Sequence, residues 1–251
     1  MEQEQQKKKD LFLPISIVIA AVVIGGAVIY SNGLKSTGKN GATPTPSGEV
    51  VEMDIISEDN VLGDSKAELT MFEFSDYECP YCAKFHKLTR PEIISNYVDT
   101  GKMKTLFRAM PFHSNSLMDI QASWCADAQN KYWEMHELMF TKKDVEETLT
   151  ADSLIKYAEG LGLNKVNFAA CLTDAKDTEK INEIATIAQN AGILATPISL
   201  IAKDLPIELN SAYIISELQG GSSTIYIDGG VIIIGSQPFS VYQTEIDKLL
   251  D

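Results

Sequence analysis

A strand-like segment running into two cysteines three positions apart constrains this chain more than any other feature. It reads Phe72-Glu73-Phe74-Ser75-Asp76-Tyr77-Glu78-Cys79-Pro80-Tyr81-Cys82. Leu69 to Phe74 has strand character, and Pro80 suits the first turn of a helix, where its missing N–H leaves no partner unsatisfied. Cys79 then falls at a helix N-terminus, where unpaired backbone N–H groups and the helix dipole favour an anion. Such a position lowers a thiol pKa and enriches the thiolate, the nucleophile of disulfide exchange. Cys82 follows about one turn later, near enough to close a small disulfide ring or to resolve a mixed disulfide. The first cysteine of such a pair is expected exposed and attacking, the second shielded.

Other uses of a C-x-x-C pair fit less well. A zinc site needs further ligands at close spacing, whereas Cys125, Cys171 and His86 are scattered and His86, His113 and His136 show no ligand pattern. No metal or cofactor is therefore expected. Haem attachment would want a histidine where Ala83 stands. A purely structural disulfide would not place its first sulfur at a strand-to-helix turn.

Leu11 to Tyr30 carry no charge over 20 residues. That length spans about 30 Å of hydrocarbon at about 1.5 Å per residue. Lys7, Lys8 and Lys9 precede it and favour a cytoplasmic N-terminus. The run is longer than a cleaved signal peptide needs and ends without a small-x-small site, so 11–30 is expected to be a transmembrane signal anchor with residues 1–10 cytoplasmic. Residues 31–50, rich in Gly, Ser, Thr, Asn and Pro, read as a flexible linker. Beyond residue 50 the chain has 16 Lys and Arg against 31 Asp and Glu. A balance so acidic argues against nucleic acid and anionic lipid as partners.

From residue 51 the pattern is α/β. The strand before Cys79, a helix from Pro80 towards Tyr97 that Pro91 should interrupt, and a strand over Met103–Met110 suggest a βαβ unit. Residues 114–191 turn helical, with apolar positions such as Ile120, Trp124, Ile181 and Ile184 at helical spacing, and Gly192 ends the last helix. Strand-like Thr224–Ile227 and Val231–Ile234 flank Asp228-Gly229-Gly230, a hairpin signal. Val241–Leu250 closes as an amphipathic helix.

The motif and its surroundings resemble the DsbA-like branch of the thioredoxin superfamily, particularly the membrane-anchored BdbD-type proteins. The resemblance runs through VLGDSKAELTMFEFSDYECPYC, RAMPFH, SWCADAQNKYWEMHELMF, GILATP and GSQPFSVYQTEI. It implies a thioredoxin fold with an inserted helical domain, preceded here by the transmembrane helix. It also implies exchange of disulfides with exported proteins and a membrane thiol oxidase or electron donor as redox partner. The catalytic domain would be extracytoplasmic. The direction of electron flow stays open between oxidase and reductase or isomerase, and a redox-inert peptide-binding module is the reading from another class.

The resemblance carries over two further positions. Glu73, six residues before Cys79, matches the family's buried acid, which would accept a proton from Cys82 directly or through water. Thr196-Pro197 matches its cis-proline loop beside the cysteines. The family continues directly into a strand, whereas this chain inserts roughly 25 residues, from Ile198 to Gly221. Two placements follow: Pro197 as the loop proline with an insertion after it, or Ser222-Ser223 in the loop position. Cys125 and Cys171 are either a disulfide, worth about 4 kcal/mol on loop entropy, or two buried thiols. Tyr81, between the cysteines, brings no positive charge, so a less extreme oxidant than the DsbA prototype is expected.

Overall fold

The computed structural model describes residues 48–144, 149–174 and 177–251. The expected anchor at 11–30, the residues before it and nearly all of the expected linker lie outside these. Among the described residues no helix is long and apolar enough to cross a membrane. The first strand, β1 (Val50–Met53), takes in the last residue of the expected linker.

The central sheet contains β2 (Val61–Leu62), β3 (Leu69–Ser75), β4 (Met103–Ala109), β5 (Ile198–Ala202), β7 (Thr224–Ile227) and β8 (Gly230–Ile234) in the order β2-β4-β3-β5-β8-β7. Strands β3 and β4 are parallel, and every other neighbouring pair is antiparallel. Between β3 and β4 run α1 (Pro80–Leu88), a short α2 (Arg90–Ile93) and a π-helical turn at Ile94–Val98. Pro91 has no N–H to continue α1, and the helix breaks at Thr89.

All seven residues of β3 are buried, because packed layers cover both faces of the sheet. Alternation along the strand separates two cores. Phe72 and Phe74 join Leu106, Leu200 and Ile193. Leu69 and Met71 join Phe85, Tyr97, Ile201 and Tyr242. Burying one such phenylalanine contributes on the order of 2–3 kcal/mol. The same alternation sends Glu73 and Ser75 to the Phe85 side, beneath α1.

Among the described residues, five helices separate β4 from β5: α3 (Ser116–Asp127), α4 (Tyr132–Asp144), α5 (Ala151–Gly160), α6 (Lys165–Thr173) and α7 (Thr178–Asn190). Thr150 and Ser153 form a capping box at α5, and Asn164 caps α6 through the Asn167 N–H. Gly192, at φ 94°, turns the chain out of α7. This helix straddles two cores: Ile181 packs with the insertion, Ala185 and Ala188 with the sheet. The core of the insertion also takes in Tyr77, Cys79, Cys82 and Ala83, so it packs directly on the cysteine motif. A disulfide, Cys125–Cys171, ties α3 to α6 with 5.8 Å between Cα atoms.

After Pro197 the fold departs from expectation. Ile198–Ala202 does not begin an insertion; it is β5, paired with β3 on one side and β8 on the other. Its run Ile-Ser-Leu-Ile-Ala is buried throughout, and periodicity alone does not identify so short an apolar run. The added segment starts only at Lys203. It supplies β6 (Ile207–Asn210), which pairs with β1 in a separate two-stranded ribbon, and α8 (Ser211–Gln219). Gly229, at φ 72°, forms the hairpin into β8. A side chain on Gly230 would stand 2.6 Å from the Ile201 carbonyl oxygen, so only glycine fits there. Helix α9 (Phe239–Leu250) closes the chain over the Phe85 side.

Candidate active site

Cys79 is the N-cap residue of α1, with extended backbone at φ −78° and ψ 122°, and Pro80 opens the helix. No side chain caps this end, so the first-turn N–H groups remain available to an anion on the Cys79 sulfur. Both cysteines are present as thiols, and their acidities are driven apart. The Cys79 pKa falls from the ordinary thiol value to about 5, chiefly through a hydrogen bond from Cys82. Thr196 and the backbone N–H groups of Cys82 and Tyr81 add to this, while burial opposes it. Burial pushes the Cys82 thiol far above the ordinary range, and the adjacent Cys79 pushes it further.

Cys79 is less open than the expected attacking cysteine, with 5% of its surface exposed against 0% for Cys82. The reason is the loop before β5. The Thr196–Pro197 peptide is cis, and Cys79 Sγ lies 3.6 Å from the Thr196 carbonyl oxygen. Of the two loop placements, this one stands against the cysteine, whereas Ser222-Ser223 leads into the edge strand β7. Tyr81 projects outward, 65% exposed.

The split acidities have a direct pH consequence. A depressed folded-state pKa stabilises the ionised form; that stabilisation is complete above the ordinary thiol pKa and is lost as pH falls through about 5. Alkylation of the reduced protein is therefore expected to stay nearly constant from pH 8 down to about 6 and to drop below about 5. An ordinary thiol loses about tenfold per unit below about pH 8.5. A tenfold loss between pH 7 and 6 would contradict the assignment.

Beneath the helix, Glu73 Oε1 lies 2.6 Å from His86 Nε2 and Oε2 accepts from Arg90 Nε at 3.3 Å. Glu73 and Cys82 are thus not directly joined, as the reading of Glu73 as proton acceptor allowed; His86 and Arg90 occupy the carboxylate. The Ser75 hydroxyl, two residues along the same strand face, is buried with no hydrogen-bond partner. Burial raises Glu73 to about 7 against the opposing pull of Arg90. Burial also lowers His86 and His136 well below the ordinary imidazole value.

Sequence reading passed over Asp76. Its buried carboxylate accepts from the Glu78 N–H (3.0 Å) and the Ser116 hydroxyl (2.7 Å) on Oδ1. On Oδ2 it meets the Phe112 N–H (3.0 Å) and His113 Nδ1 (2.8 Å). Asp76 thereby fixes the cysteine turn to the loop after β4 and to the start of α3. Its place in a tight turn between two motif elements was the available signal. Nor did spacing reveal that His136, held by the Tyr77 hydroxyl at 3.0 Å, meets His86 across the α1–α4 contact.

Comparison with known proteins places this geometry. A probable disulfide bond formation protein D of Bacillus cereus is 27% identical over 202 residues, covering 76% of this chain and 88% of that protein. Among solved structures, alpha-DsbA1 of Wolbachia pipientis superposes with a TM-score of 0.62 at 27% identity, covering 78% of this chain and 92% of that one. BdbD of Bacillus subtilis, oxidised, gives 0.54 at 25% identity over 65% and 90%. The chain is also 31% identical over 142 residues to the Na(+)/H(+) antiporter NhaA 3 of Salinispora tropica, 55% of this chain but 21% of the antiporter, so it spans about a fifth of that relative. The thioredoxin family model Thioredoxin_4 matches residues 57–213. With more than half of its length in that match, the chain belongs to the thioredoxin family.

Proposed function

We propose that the chain is a thiol–disulfide oxidoreductase that forms disulfides in exported proteins through Cys79 and Cys82. The placement of Cys79 carries the direction: its sulfur stands at an N-terminus of α1 that no side chain caps, next to the Cys82 thiol, which lowers its pKa to about 5. Stabilising that thiolate stabilises the reduced enzyme, so the Cys79–Cys82 disulfide is the less stable partner and passes readily to substrate. The name of the B. cereus relative, a probable disulfide bond formation protein, supports the same chemistry.

A substrate thiolate attacks the Cys79 sulfur, forms a mixed disulfide and releases Cys82, which takes up a proton. A second substrate thiolate then attacks the substrate sulfur of that mixed disulfide and expels Cys79 as thiolate. The substrate loses two electrons and gains a disulfide; the enzyme is left reduced. A low leaving-group pKa at Cys79 speeds the second step. Glu73, near 7, is the proton reserve for Cys82 by way of water. Thr196, Pro197, Pro80 and Tyr81 shape the groove for the substrate chain. In this reading residues 11–30 anchor the protein, the domain works outside the cytoplasm on unfolded or reduced exported proteins, and a membrane thiol oxidase reoxidises the pair. The redox group is the Cys79–Cys82 disulfide itself, with no separate cofactor.

The test is the reduction potential of the pair in glutathione buffers, read by thiol tagging and mass. The expected value is above about −180 mV, on the DsbA side of protein disulfide isomerase. A value near −270 mV, as in thioredoxin, would reverse the direction to a reductase fed by a membrane donor. No exchange at all would leave a peptide-binding module.

A further inference from the structure

Helices α1 and α4 bring His86 and His136 together with ring centroids 4.9 Å apart. One ligand atom from each of His86, His136 and Glu137 lies within 4.8 Å of the others. Each imidazole is anchored through one nitrogen: His86 Nε2 to Glu73 Oε1 at 2.6 Å, His136 Nδ1 to the Tyr77 hydroxyl at 3.0 Å. The other ring nitrogens, Nδ1 of His86 and Nε2 of His136, are buried with no hydrogen-bond partner. Both rings are more than nine-tenths buried. Buried polar atoms normally find partners, so two orphaned imidazole nitrogens side by side point to a ligand that accepts their lone pairs.

We propose that His86, His136 and Glu137 bind a divalent transition metal ion of the zinc class. Imidazole and carboxylate suit zinc, copper and nickel, not calcium or magnesium. The outer contacts are those such a site requires, because a carboxylate or hydroxyl on the far nitrogen fixes the tautomer and ring orientation of a metal-binding histidine. Phe140 adds to this by stacking flat on His86, centroids 3.6 Å apart at 12°. Glu137 is half-exposed, and a cleft of about 120 Å³ lined by Ala83, His86, Lys87, Glu137, Phe140 and Thr141 leads to the site. Arg90 is the adverse charge. It is held between Glu73 and Glu137, so two carboxylates counter it before a cation arrives. Three protein ligands leave one tetrahedral position for water from the cleft.

The test titrates Zn²⁺ into the full-length protein, free of any histidine tag, with all four cysteines oxidised so that no thiol competes. One zinc per chain is expected, with zinc-edge X-ray absorption showing two imidazole nitrogens and oxygen. Glu137→Gln, at a half-exposed position, should weaken uptake by about tenfold or more. His136→Asn should abolish uptake; if it fails to fold, Glu137→Gln and the absorption spectrum decide. No stoichiometric uptake, uptake undiminished in Glu137→Gln, or a spectrum without imidazole nitrogen each overturns the site. None of these readouts depends on exchange activity.

Discussion

Cys79→Ser is expected to reduce disulfide exchange to the uncatalysed background, while Cys82→Ser, which has no Cys79–Cys82 disulfide to pass on, loses oxidation of reduced substrate and, given a disulfide-bonded substrate, runs the reverse reaction only as far as a mixed disulfide through Cys79. Cys79 carries the available thiolate because its pKa is near 5, whereas burial keeps Cys82 protonated at any neutral pH. A serine hydroxyl in the N-cap position neither ionises nor bonds to sulfur, so the effect is loss of the reaction and not a graded slowing. In that reverse reaction Cys82→Ser keeps the attacking thiolate of Cys79 but lacks the thiol that would release the substrate. Cys82→Ala, which has no donor at this position, loses the hydrogen bond that contributes most to lowering Cys79, so the Cys79 thiolate of that variant should titrate higher than about 5 by absorbance. Non-reducing gels of each variant with a reducible substrate, and turnover assays, check both. Residual turnover in Cys79→Ser would remove Cys79 from the reaction.

Removing the other pair acts on stability. Cys125→Ala with Cys171→Ala frees a loop with a sequence separation of 46 residues, worth about 4 kcal/mol on the chain-entropy estimate. For a domain of roughly 200 residues this lowers Tm by about 8–16 °C. Cys125 sits in the core shared with Cys79 and Cys82, but the exchange step needs neither partner. Turnover well below the new Tm should therefore be retained. Calorimetry of both proteins, with Cys79 and Cys82 in the same redox state, checks the shift. An unchanged Tm would mean the α3–α6 contact stands without the bridge.

The strand into Cys79, the helix from Pro80, the break near Pro91, the helical insertion and the closing hairpin were legible because each is local: period, capping and turn chemistry suffice. β5 was not, since a five-residue apolar run buried on both faces has no periodic signature and takes its identity from β3 and β8 beside it. Ribbon β1–β6 joins segments more than 150 residues apart, and no local pattern announces such a pairing. At the site, Cys79 and Cys82 were readable from spacing. The engagement of Glu73 by His86 and Arg90, and the meeting of His86 with His136, arise only once α1 packs on α4.

Asp76 gives the cysteine motif a mechanical character. A single carboxylate with four contacts joins the turn before Cys79, the loop after β4 and the first residue of α3. Loosening of these three segments is coupled: opening the loop after β4 takes both donors from Oδ2, and opening the start of α3 takes one of the two on Oδ1, from a carboxylate with no exposed surface. Fluctuations around the thiolate become an all-or-none event of one cooperative unit and not a fraying of separate loops. The helix N-terminus that carries Cys79 therefore holds its geometry until that whole unit opens.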